Sequence, residues 1–530
     1  MSQGERIYDA VVIGSGFGGS MAAHALVGAG RRVLMLERGD WVARGPENWA
    51  PEGVGELTQH YATAWPYRVE QEAGPKQVGA YFCVGGPSVF YGGVSLRYRP
   101  RDFEPAQEIV GESGARWPYD YDALEPYYCE AERIIGVAGA AAMDPTDPPR
   151  GSAYPQEPAE LAPPSEMIGR AARKLGLRPF PLPLALNYGT ADGRLACRSC
   201  ATCDGFACAI GAKNDLATAV LPRLLREGLE LRSGVVVTSL RTDGRSVTAV
   251  EGVDRRSGER LSFRARRVIL AAGALASPHL ILASGLDRLN PGRAAVGRYL
   301  MRHYNEIVFG LFLRAPGRHQ RFHKQLGIHD FYFGHPTRGP RGKLGALQQL
   351  PTPPSALVRA NLPPMLAPIA APLVQHLTGL LVIAEDQPQA GNRVSLDPGD
   401  RDEFGLPRLI ITHRYTARDR AAGQTLSREA RRILRRAGAL ALYRHRILTF
   451  SHAVGTLRMG DDPASSALDQ WGAFRGLDNL YVLDGSVMPT SAGVNPSLTI
   501  AAVSLRAARR IAARSLEEAA VGSEAGLRHG

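Results

Sequence analysis

The chain has 530 residues, of which 44% are hydrophobic and 22% charged, and its formal net charge is +12. This length exceeds what a single hydrophobic core usually serves, so we expect at least two domains. The composition is that of a globular protein and excludes a disordered or fibrous one. The basic residues are dispersed arginines rather than a stripe with interleaved aromatics, which argues against nucleic-acid binding. The one dense cluster, at residues 428–436, has helical spacing and predicts a solvent-facing helix surface.

The N-terminal segment predicts neither an export signal nor a membrane anchor. Glu5 and Asp9 flank the first apolar run, and Gly14 interrupts it. No stretch of about 18 uninterrupted apolar residues occurs elsewhere in the sequence. We therefore expect no transmembrane segment and a cytoplasmic location.

Residues 7–37 predict a strand, a glycine-rich turn, a helix and a second strand that ends on an acid. The apolar run Ile7–Ile13 stops at the turn 14–19, and the run 33–36 leads into Glu37. Glycines let the backbone approach a pyrophosphate, the helix N-terminus attracts that anion, and an acid about 20 residues further on binds ribose hydroxyls. This pattern predicts binding of an adenine dinucleotide. Because a carboxylate would repel a 2′-phosphate, Glu37 argues against NADP.

The middle of the chain predicts insertions followed by a second group of regular elements. Loop or lid insertions are expected near residues 40–75 and 137–210. A helix is predicted over 214–227, kinked at Pro222 because proline lacks the donor of a helical hydrogen bond. Two strands, 235–240 and 268–270, flank a hairpin at Ser257 and Gly258, and another helix starts near Ser277.

Residues 306–450 predict a separate substrate-binding or cap domain built on an antiparallel sheet. Short strand candidates alternate with proline-rich connections and lack regular helices between them, which is typical of antiparallel pairing. These candidates are residues 307–313, 380–384, 393–396 and 409–412.

Residues 451–515 return to the style of the first domain, with a strand at 480–484 and a helix from Asn495 to about Ala513. Residues 516–530 are expected to form a flexible tail. The predicted fold class is therefore α/β with an α+β cap. A Rossmann-like nucleotide-binding domain, formed by residues 1–305 and 451–515, is combined with a discontinuous second domain.

Five motifs occur in a fixed order along the chain. They are the glycine turn, Gly85-Gly86-Pro87-Ser88, the segment 271–285, His452-Ala453-Val454-Gly455-Thr456, and Asp484-Gly485-Ser486 with the segment 493–499. In this combination the chain strongly resembles the glucose–methanol–choline (GMC) family of FAD-dependent oxidoreductases over almost its whole length. Within that family it is most similar to bacterial members that carry a cysteine-rich segment.

The resemblance implies an FAD that lies extended across the first domain. It implies that the glycine turn holds the pyrophosphate, Glu37 the adenosine ribose and the backbone of Val236 the adenine, whereas Asp484 binds ribityl or phosphate oxygens. The implied cofactor-binding residues are Gly14, Gly16, Phe17, Gly18, Gly19, Glu37, Arg38, Gly85, Gly86, Ser88, Val236, Ala272, Gly273, Asp484, Gly485, Asn495 and Pro496. Residues 89–94 contain no histidine, the residue through which some members attach the flavin, so the FAD is predicted to be non-covalent.

His452 and Asn495 are the predicted catalytic residues, at two positions where the family carries a His–His or His–Asn pair. Oxidation of an alcohol requires transfer of a hydride to flavin N5 and removal of the hydroxyl proton. An imidazole suits the second task because its unperturbed pKa of about 6.5 lies near working pH. The amide of Asn495 can hydrogen-bond the same hydroxyl and orient the carbon. It can also cap the helix that follows.

Four cysteines lie in one short segment, and the sequence leaves their state open. Cys197, Cys200, Cys203 and Cys208 are spaced as zinc or iron–sulfur ligands can be. Some bacterial relatives that pass electrons to quinone or cytochrome carry such segments linked to clusters. Disulfides and unliganded thiols are the alternatives, and disulfides are disfavoured in a chain without an export signal.

The sequence therefore predicts an FAD-dependent oxidoreductase that converts a primary or secondary alcohol to a carbonyl. Its electron acceptor is O2 or another molecule. The substrate candidates are a hydroxyl of a sugar or glycoside and a hydrophobic alcohol or sterol beneath the apolar segment 351–382. Two alternatives remain: a lyase-type member that keeps FAD without redox turnover, and a redox subunit that passes electrons through a cysteine-ligated cluster to a partner.

Overall fold

The computed structural model describes residues 6–49, 61–70, 76–189, 193–319, 321–353, 365, 368 and 372–527. Parts of the predicted insertion at 40–75 and half of the apolar segment 351–382 lie outside these residues, so the lids suggested there stay predictions. Within the described part of the chain, the strands form three sheets.

The regular elements are numbered here in chain order. The strands are β1 (Ile7–Ile13), β2 (Val33–Glu37), β3 (Tyr61–Glu70), β4 (Lys76–Tyr81), β5 (Phe180–Pro181), β6 (Glu230–Ser233), β7 (Val235–Thr242), β8 (Val247–Asp254), β9 (Arg260–Leu270), β10 (Tyr304–Leu311), β11 (Leu326–Ile328), β12 (Gly345–Leu350), β13 (Leu377–Ala384), β14 (Arg393–Arg401), β15 (Pro407–Thr412), β16 (Ala441–Arg446) and β17 (Leu480–Val482). The α-helices are α1 (Phe17–Gly28), α2 (Gln107–Val110), α3 (Glu125–Ile135), α4 (Pro163–Arg173), α5 (Leu216–Ala219), α6 (Leu221–Arg226), α7 (Gly273–Ala283), α8 (Ala417–Arg436) and α9 (Ser497–Leu527).

The first sheet carries the glycine turn at the carboxyl end of a central strand. Its parallel core has the order β6, β2, β1, β9, β17, and the antiparallel strands β8 and β7 continue from the N-terminal half of β9. Strand β2 is buried throughout, as expected for a parallel strand covered on both faces. Helix α1 packs against β1, β2 and α9. This is the Rossmann-like arrangement that the sequence predicts.

The second sheet is antiparallel, with the order β16, β10, β13, β12, β11, β5. Helix α8 covers it with buried side chains at every third or fourth position, namely Ala422, Leu426, Ala430 and Ile433. The arginines at 428, 432, 435 and 436 are exposed on the other side of this helix. The solvent-facing helix surface predicted at 428–436 is thus confirmed.

The third sheet combines strands that are far apart in the sequence. Its order is β14, β15, β3, β4, and the pairing of β15 with β3 is parallel. Strand β5, which also precedes residue 306, pairs with β11 at the edge of the second sheet. The antiparallel part of the molecule is therefore discontinuous, and the predicted fold class is confirmed. The domain boundaries near 305 and 450 stay predictions.

Three predicted elements differ in extent. The helix predicted over 214–227 is two short helices, α5 and α6, because the chain breaks at Val220 before Pro222. The strand predicted over 480–484 ends at Val482. Helix α9 continues past Ala513 to Leu527, so the backbone of residues 516–527, predicted as a tail, is helical here. That segment is rich in Ala, Glu and Leu, which extend a helix once it is formed. No helix of the described residues is long and apolar enough to span a bilayer.

Candidate active site

Three loops that follow parallel strands of the first sheet meet at its carboxyl edge. They are residues 14–16 after β1, 271–273 after β9 and 483–485 after β17. A Cβ on Gly14 would lie 2.4 Å from the carbonyl oxygen of Ala271, and one on Gly18 would lie 1.7 Å from that of Leu483. Gly18 and Gly19 lie in the first turn of α1. The loops therefore meet this closely only because the turn is built from glycine.

Gly16 differs from its neighbours because the space that its side chain would occupy is open. A Cβ there would meet no atom within 4 Å, and its φ of −68° and ψ of −169° are accessible to any residue. It is the N-cap of α1, where free N–H groups and the helix dipole favour an anion. Gly86 lies against it, because a Cβ on Gly86 would come within 3.2 Å of the Gly16 Cα. The open face of Gly16 fits a dinucleotide pyrophosphate.

Glu37 ends β2 directly beside the glycine turn. Its buried carboxylate accepts hydrogen bonds from the N–H and the hydroxyl of Ser15, at 3.0 and 2.6 Å, and from the N–H of Gly39 at 2.9 Å. Burial raises the pKa of this carboxyl, and the three hydrogen bonds oppose the rise. Glu37, which the sequence predicts to bind ribose, therefore lies beside the glycine turn and also orients Ser15.

Other residues predicted to contact the cofactor lie around the same turn. The guanidinium of Arg38 stacks over the ring of Phe82 at 4.4 Å. The N–H of Gly234 donates to the carbonyl of Gly39 at 3.2 Å, which brings Val236, two residues later, to the end of the sheet where Glu37 lies. Val236 pairs with Val253 in the ladder of β7 and β8, and its contact with adenine stays a prediction.

The turn at residues 85–88 lies against the glycine turn. The N–H of Gly85 donates to the hydroxyl of Ser15 at 2.9 Å, and the hydroxyl of Ser88 donates to the carbonyl of Gly85 at 2.7 Å. Phe17 contacts Tyr91 edge to face, with ring centroids 5.6 Å apart. Tyr91 occupies the segment through which other members attach flavin, and its hydroxyl donates to the carbonyl of Asn214 at 3.1 Å.

Asp484 joins the loops after β9 and β17. One carboxylate oxygen accepts hydrogen bonds from the N–H of Gly273 at 2.9 Å and the hydroxyl of Ser277 at 2.5 Å. The other accepts the N–H and hydroxyl of Ser486 at 2.8 and 2.5 Å. Burial raises the pKa of Asp484, and these bonds oppose it. By holding Gly273, Asp484 positions the N-terminus of α7, and the preceding Ala272 is exposed there.

His452 and Asn495 are brought together although 43 residues separate them. Nδ2 of Asn495 lies 3.4 Å from Nε2 of His452, and both side chains are partly buried. The segment after His452 runs beside the segment after Asp484, because the N–H of Gly455 donates to the carbonyl of Gly485 at 3.0 Å. Pro496 follows Asn495 and is buried at the start of α9. The pair therefore lies next to the loops predicted to hold the cofactor.

Two buried side chains that the sequence pattern did not indicate complete this arrangement. Gln348 on β12 donates from Nε2 to Oδ1 of Asn495 at 2.6 Å. Its Oε1 has no hydrogen-bond partner among the described residues, although the residue is 0% exposed. His303 places Nδ1 3.0 Å from Nδ1 of His452 and Nε2 3.0 Å from the carbonyl oxygen of Ser491.

Pairing register explains why the two histidines meet. Met301 and Val454 form an antiparallel bridge in which each N–H donates to the other's carbonyl, at 3.0 and 2.9 Å. His303 lies two residues after Met301, and His452 lies two residues before Val454. Because the two segments are antiparallel, this register places the two histidines side by side. No local sequence motif carries this signal, because the two segments are about 150 residues apart in the chain.

The surroundings of His452 disfavour its protonated form. Burial lowers the pKa of His452 well below the ordinary value, and the nearby His303 and Lys324 lower it further, whereas Asp386 opposes them. Burial also lowers the pKa of His303. Both imidazoles are therefore neutral at neutral pH, which is the state that can accept a proton.

The four clustered cysteines are free thiols in the structure, which excludes the disulfide alternative here. They line a cavity of about 10 Å³, room for no more than one water molecule. The ammonium of Lys213 organises the segment by donating to the carbonyls of Cys203 and Phe206 at 2.7 and 2.6 Å. Burial raises the pKa of Cys197 and Cys203, which favours the protonated thiol at both residues. Among the described residues no three His, Cys, Asp or Glu side chains form a metal-binding group, so the predicted iron–sulfur cluster finds no support.

Known proteins with the same features were found by sequence and by structure. Two family models described as GMC oxidoreductase match the chain, over residues 79–305 and 388–504. The chain is 34% identical to 6'''-hydroxyparomomycin C oxidase from Streptomyces lividus and 33% identical to paromamine 6'-oxidase from Streptomyces fradiae. Each alignment covers 96% of this chain and 92% of the relative. The crystal structure of pyridoxine 4-oxidase from Mesorbium loti matches with a TM-score of 0.65 and 21% identity, and the match covers 95% of this chain and 99% of that one.

The two family models together match more than half of the chain, and the chain belongs to the GMC oxidoreductase family. It is an FAD-dependent oxidoreductase that acts on the alcohol groups of small molecules. The open face of Gly16, the N-termini of α1 and α7 and the buried acids Glu37 and Asp484 fit this cofactor.

Proposed function

We propose that this enzyme oxidises a hydroxyl of a sugar or glycoside to a carbonyl, with His452 as the base and Asn495 as the orienting group. The observation that carries the proposal is the convergence of Nε2 of His452 and Nδ2 of Asn495, 3.4 Å apart, beside the loops that fit FAD. Bound FAD would supply the hydride acceptor.

The two side chains offer complementary groups to one hydroxyl. The substrate O–H donates to the unprotonated nitrogen of His452, and its oxygen accepts from the amide N–H of Asn495. As the carbon loses a hydride with its electron pair, the hydroxyl proton moves to His452, which leaves a carbonyl. The fixed geometry of the pair lowers the barrier by holding the carbon in one orientation during transfer.

A sugar or glycoside substrate is supported by the names of the two Streptomyces relatives, oxidases of paromomycin-type compounds. Gln348 supports the proposed role of Asn495 instead. By donating to Oδ1 of Asn495 it fixes the amide so that the N–H groups of Nδ2 face His452.

The flavin attachment, the electron acceptor and the location are part of the proposal. Residues 89–94 contain no histidine, which supports non-covalent FAD that acid precipitation should release into the supernatant. O2 and an artificial acceptor can be compared as the oxidant of the reduced enzyme in the same assay. The cytoplasmic location stays a prediction from sequence, which cell fractionation checks.

Anaerobic reduction of the bound flavin by an alcohol panel tests the proposed function. The panel contains amino sugars, neutral glycosides, a sterol and a fatty alcohol, and loss of the oxidised flavin spectrum is followed by stopped flow. We expect reduction by the polar glycosides only. Reduction by the sterol or fatty alcohol alone would refute the substrate class. A flavin that stays oxidised with every alcohol would support the lyase-type alternative.

A further inference from the structure

A chain of hydrogen bonds runs from one backbone carbonyl through both histidines to Asn495 and Gln348. Its links are the carbonyl oxygen of Ser491 to Nε2 of His303 at 3.0 Å, Nδ1 of His303 to Nδ1 of His452 at 3.0 Å, Nε2 of His452 to Nδ2 of Asn495 at 3.4 Å, and Oδ1 of Asn495 to Nε2 of Gln348 at 2.6 Å. Each link has one donor and one acceptor, so the chain has a direction.

The carbonyl of Ser491 sets this direction, because a carbonyl oxygen can only accept. Nε2 of His303 must therefore carry a proton. A neutral imidazole carries one N–H, so Nδ1 of His303 accepts and Nδ1 of His452 donates to it. The unprotonated nitrogen of His452 is then Nε2, and it faces the N–H group of Asn495. Burial keeps both rings neutral by lowering their pKa values.

We infer that His303 is a positioning residue that fixes the tautomer of His452 and so places the basic lone pair on Nε2. The inference rests on the proposed function, in which His452 takes the proton from the substrate. In the opposite tautomer Nε2 would carry a proton, and two N–H groups would then face each other across 3.4 Å. Such a site would offer the substrate hydroxyl two donors and no base.

The backbone of His303 is held in an unusual conformation that orients its ring. Its φ is +62°, a left-handed value that non-glycine residues rarely adopt. Asp386 accepts its N–H at 3.1 Å, and the hydroxyl of Tyr415 donates to its carbonyl at 2.7 Å. The side chain is 0% exposed. Strain held by several contacts is typical of a functional position, and here it keeps the ring between Ser491 and His452.

The tautomer can be measured directly in the resting holoenzyme. Long-range proton–nitrogen NMR of the full chain labelled with [¹⁵N]histidine separates protonated from unprotonated ring nitrogens, and the signals of His452 are those lost in His452→Ala. We expect a protonated Nδ1 and an unprotonated Nε2. A protonated Nε2 in the wild-type enzyme would overturn the inference. This measurement needs no turnover, so flavin reduction at wild-type rate by His452→Ala would refute the proposed function and leave the tautomer result standing.

Two substitutions at one position test the positioning role. His303→Ala removes the acceptor and should lower the limiting rate of flavin reduction by about 10- to 100-fold, with the substrate dissociation constant changed by less than about 3-fold. His303→Asn keeps an acceptor oxygen and tolerates a positive φ, so it should recover most of the lost rate and the Nδ1–H tautomer. FAD content and thermal melting identify any variant that fails to fold.

Wild-type rates in His303→Ala would overturn the inference. An equal loss in both variants, with the tautomer of His452 unchanged in His303→Asn, would also overturn it. If the Ala variant does not fold, the NMR measurements on the wild type and on His303→Asn decide the question alone.

Discussion

His452 lies among groups that keep its imidazole neutral. Burial contributes most to its lowered pKa, and the cation of Lys324, paired with Asp204 at 2.7 Å, adds to it. The base proposed here therefore differs from a catalytic histidine that a neighbouring carboxylate makes more basic. The charge of Asp386 opposes the lowering of this pKa, while its carboxylate accepts hydrogen bonds from the N–H of His303 and the hydroxyl of Ser491.

This environment predicts the pH dependence of catalysis. The base form of His452 is present above its folded-state pKa and is lost as the pH falls through that value, which lies well below 6.5. The rate of flavin reduction should therefore stay constant as the pH falls past 6.5 and should decrease only at lower pH. The titratable groups whose charges act on the pKa of His452 are His303, Lys324 and Asp386. Stopped-flow rates between about pH 5 and pH 9 check this, and an acidic limb centred at or above 6.5 would contradict it.

Removal of the imidazole should separate cofactor binding from chemistry. His452→Ala is expected to bind FAD normally and to lose about 10² to 10⁴ in the rate of flavin reduction, since it lacks the base. His445→Ala is the control, because His445 is exposed on β16 at the edge of the second sheet. Anaerobic stopped flow measures both variants. A rate near wild type in His452→Ala would place the base elsewhere.

Local capping residues fix the start of helix α8, and packing against the second sheet stabilises the rest of it. The hydroxyl of Thr416 accepts the N–H of Asp419 at 3.1 Å, and the carboxylate of Asp419 accepts the N–H of Thr416 at 2.8 Å. These reciprocal bonds form a capping box that satisfies two free N–H groups. The buried apolar face then packs the helix on the second sheet.

Loss of this cap should destabilise the protein without changing the active site. Thr416→Ala is expected to lower the free energy of unfolding by about 1 kcal/mol, whereas Thr416→Ser keeps the hydroxyl and should lie near wild type. Chemical denaturation of the holoenzyme measures both. A Ser variant as unstable as the Ala variant would show that the hydroxyl does not act as a cap.

A buried ion cluster connects the ends of β12 and β13 to the loop that carries Asn495. Lys343 lies 3.1 Å from Asp102 and 3.0 Å from Glu385, and all three side chains are at most 2% exposed. The hydroxyl of Tyr332 donates to Asp102 at 2.7 Å and accepts the N–H of Gly493 at 3.0 Å. The cluster thus helps to fix the backbone two residues before Asn495.

Removal of the ammonium of Lys343 should be strongly destabilising. Lys343→Met keeps the volume but removes the cation that contacts both buried carboxylates, and breaking such a pair typically lowers the free energy of unfolding by about 3–5 kcal/mol. Arg170→Met breaks an exposed ion pair with Glu166 on α4 and should change the free energy of unfolding by less than about 1 kcal/mol. Equal effects of the two substitutions in chemical denaturation would contradict the assigned role of the cluster.

At the scale of the whole molecule, the proposed active site lies where the first and second sheets meet. Asn495 follows β17 of the first sheet, whereas His452 follows β16 of the second sheet and Gln348 lies on β12 of the same sheet. The third sheet joins β3 and β4 to strands more than 300 residues later in the chain. Cofactor binding and substrate alignment therefore depend on correct docking of these layers.

FAD binding should stabilise the whole molecule, and Gly16 offers a way to remove that effect. A ligand at about 100 times its Kd adds about 2.7 kcal/mol to the free energy of unfolding. The Cβ of Gly16→Ala meets no protein atom within 4 Å but occupies the space that fits the pyrophosphate, so the apoprotein should fold and gain little from FAD. Gly28→Ala, in equally open space at the other end of α1, is the control. Unfolding with and without FAD measures the gain, and an unchanged gain in Gly16→Ala would place the cofactor elsewhere.

The sequence by itself determined the class of fold and the family, and it predicted the pair His452 and Asn495. The glycine turn, the strand before it and Glu37 form one contiguous unit whose geometry follows from local backbone preferences, so it can be read without the rest of the chain. The resemblance supplied the predicted catalytic pair in the same way, through short motifs. The state of the four cysteines could not be read locally, because free thiols and cluster ligands share the same spacing.

Only the tertiary structure decided which groups surround the predicted pair. His303 reaches His452 through an antiparallel bridge between segments about 150 residues apart, and Gln348 reaches Asn495 from a different sheet. Which ring nitrogen of His452 carries the proton depends on the carbonyl of Ser491, which belongs to neither histidine. Such contacts arise from strand register and layer packing over long sequence separations, and no local pattern of residue types encodes them.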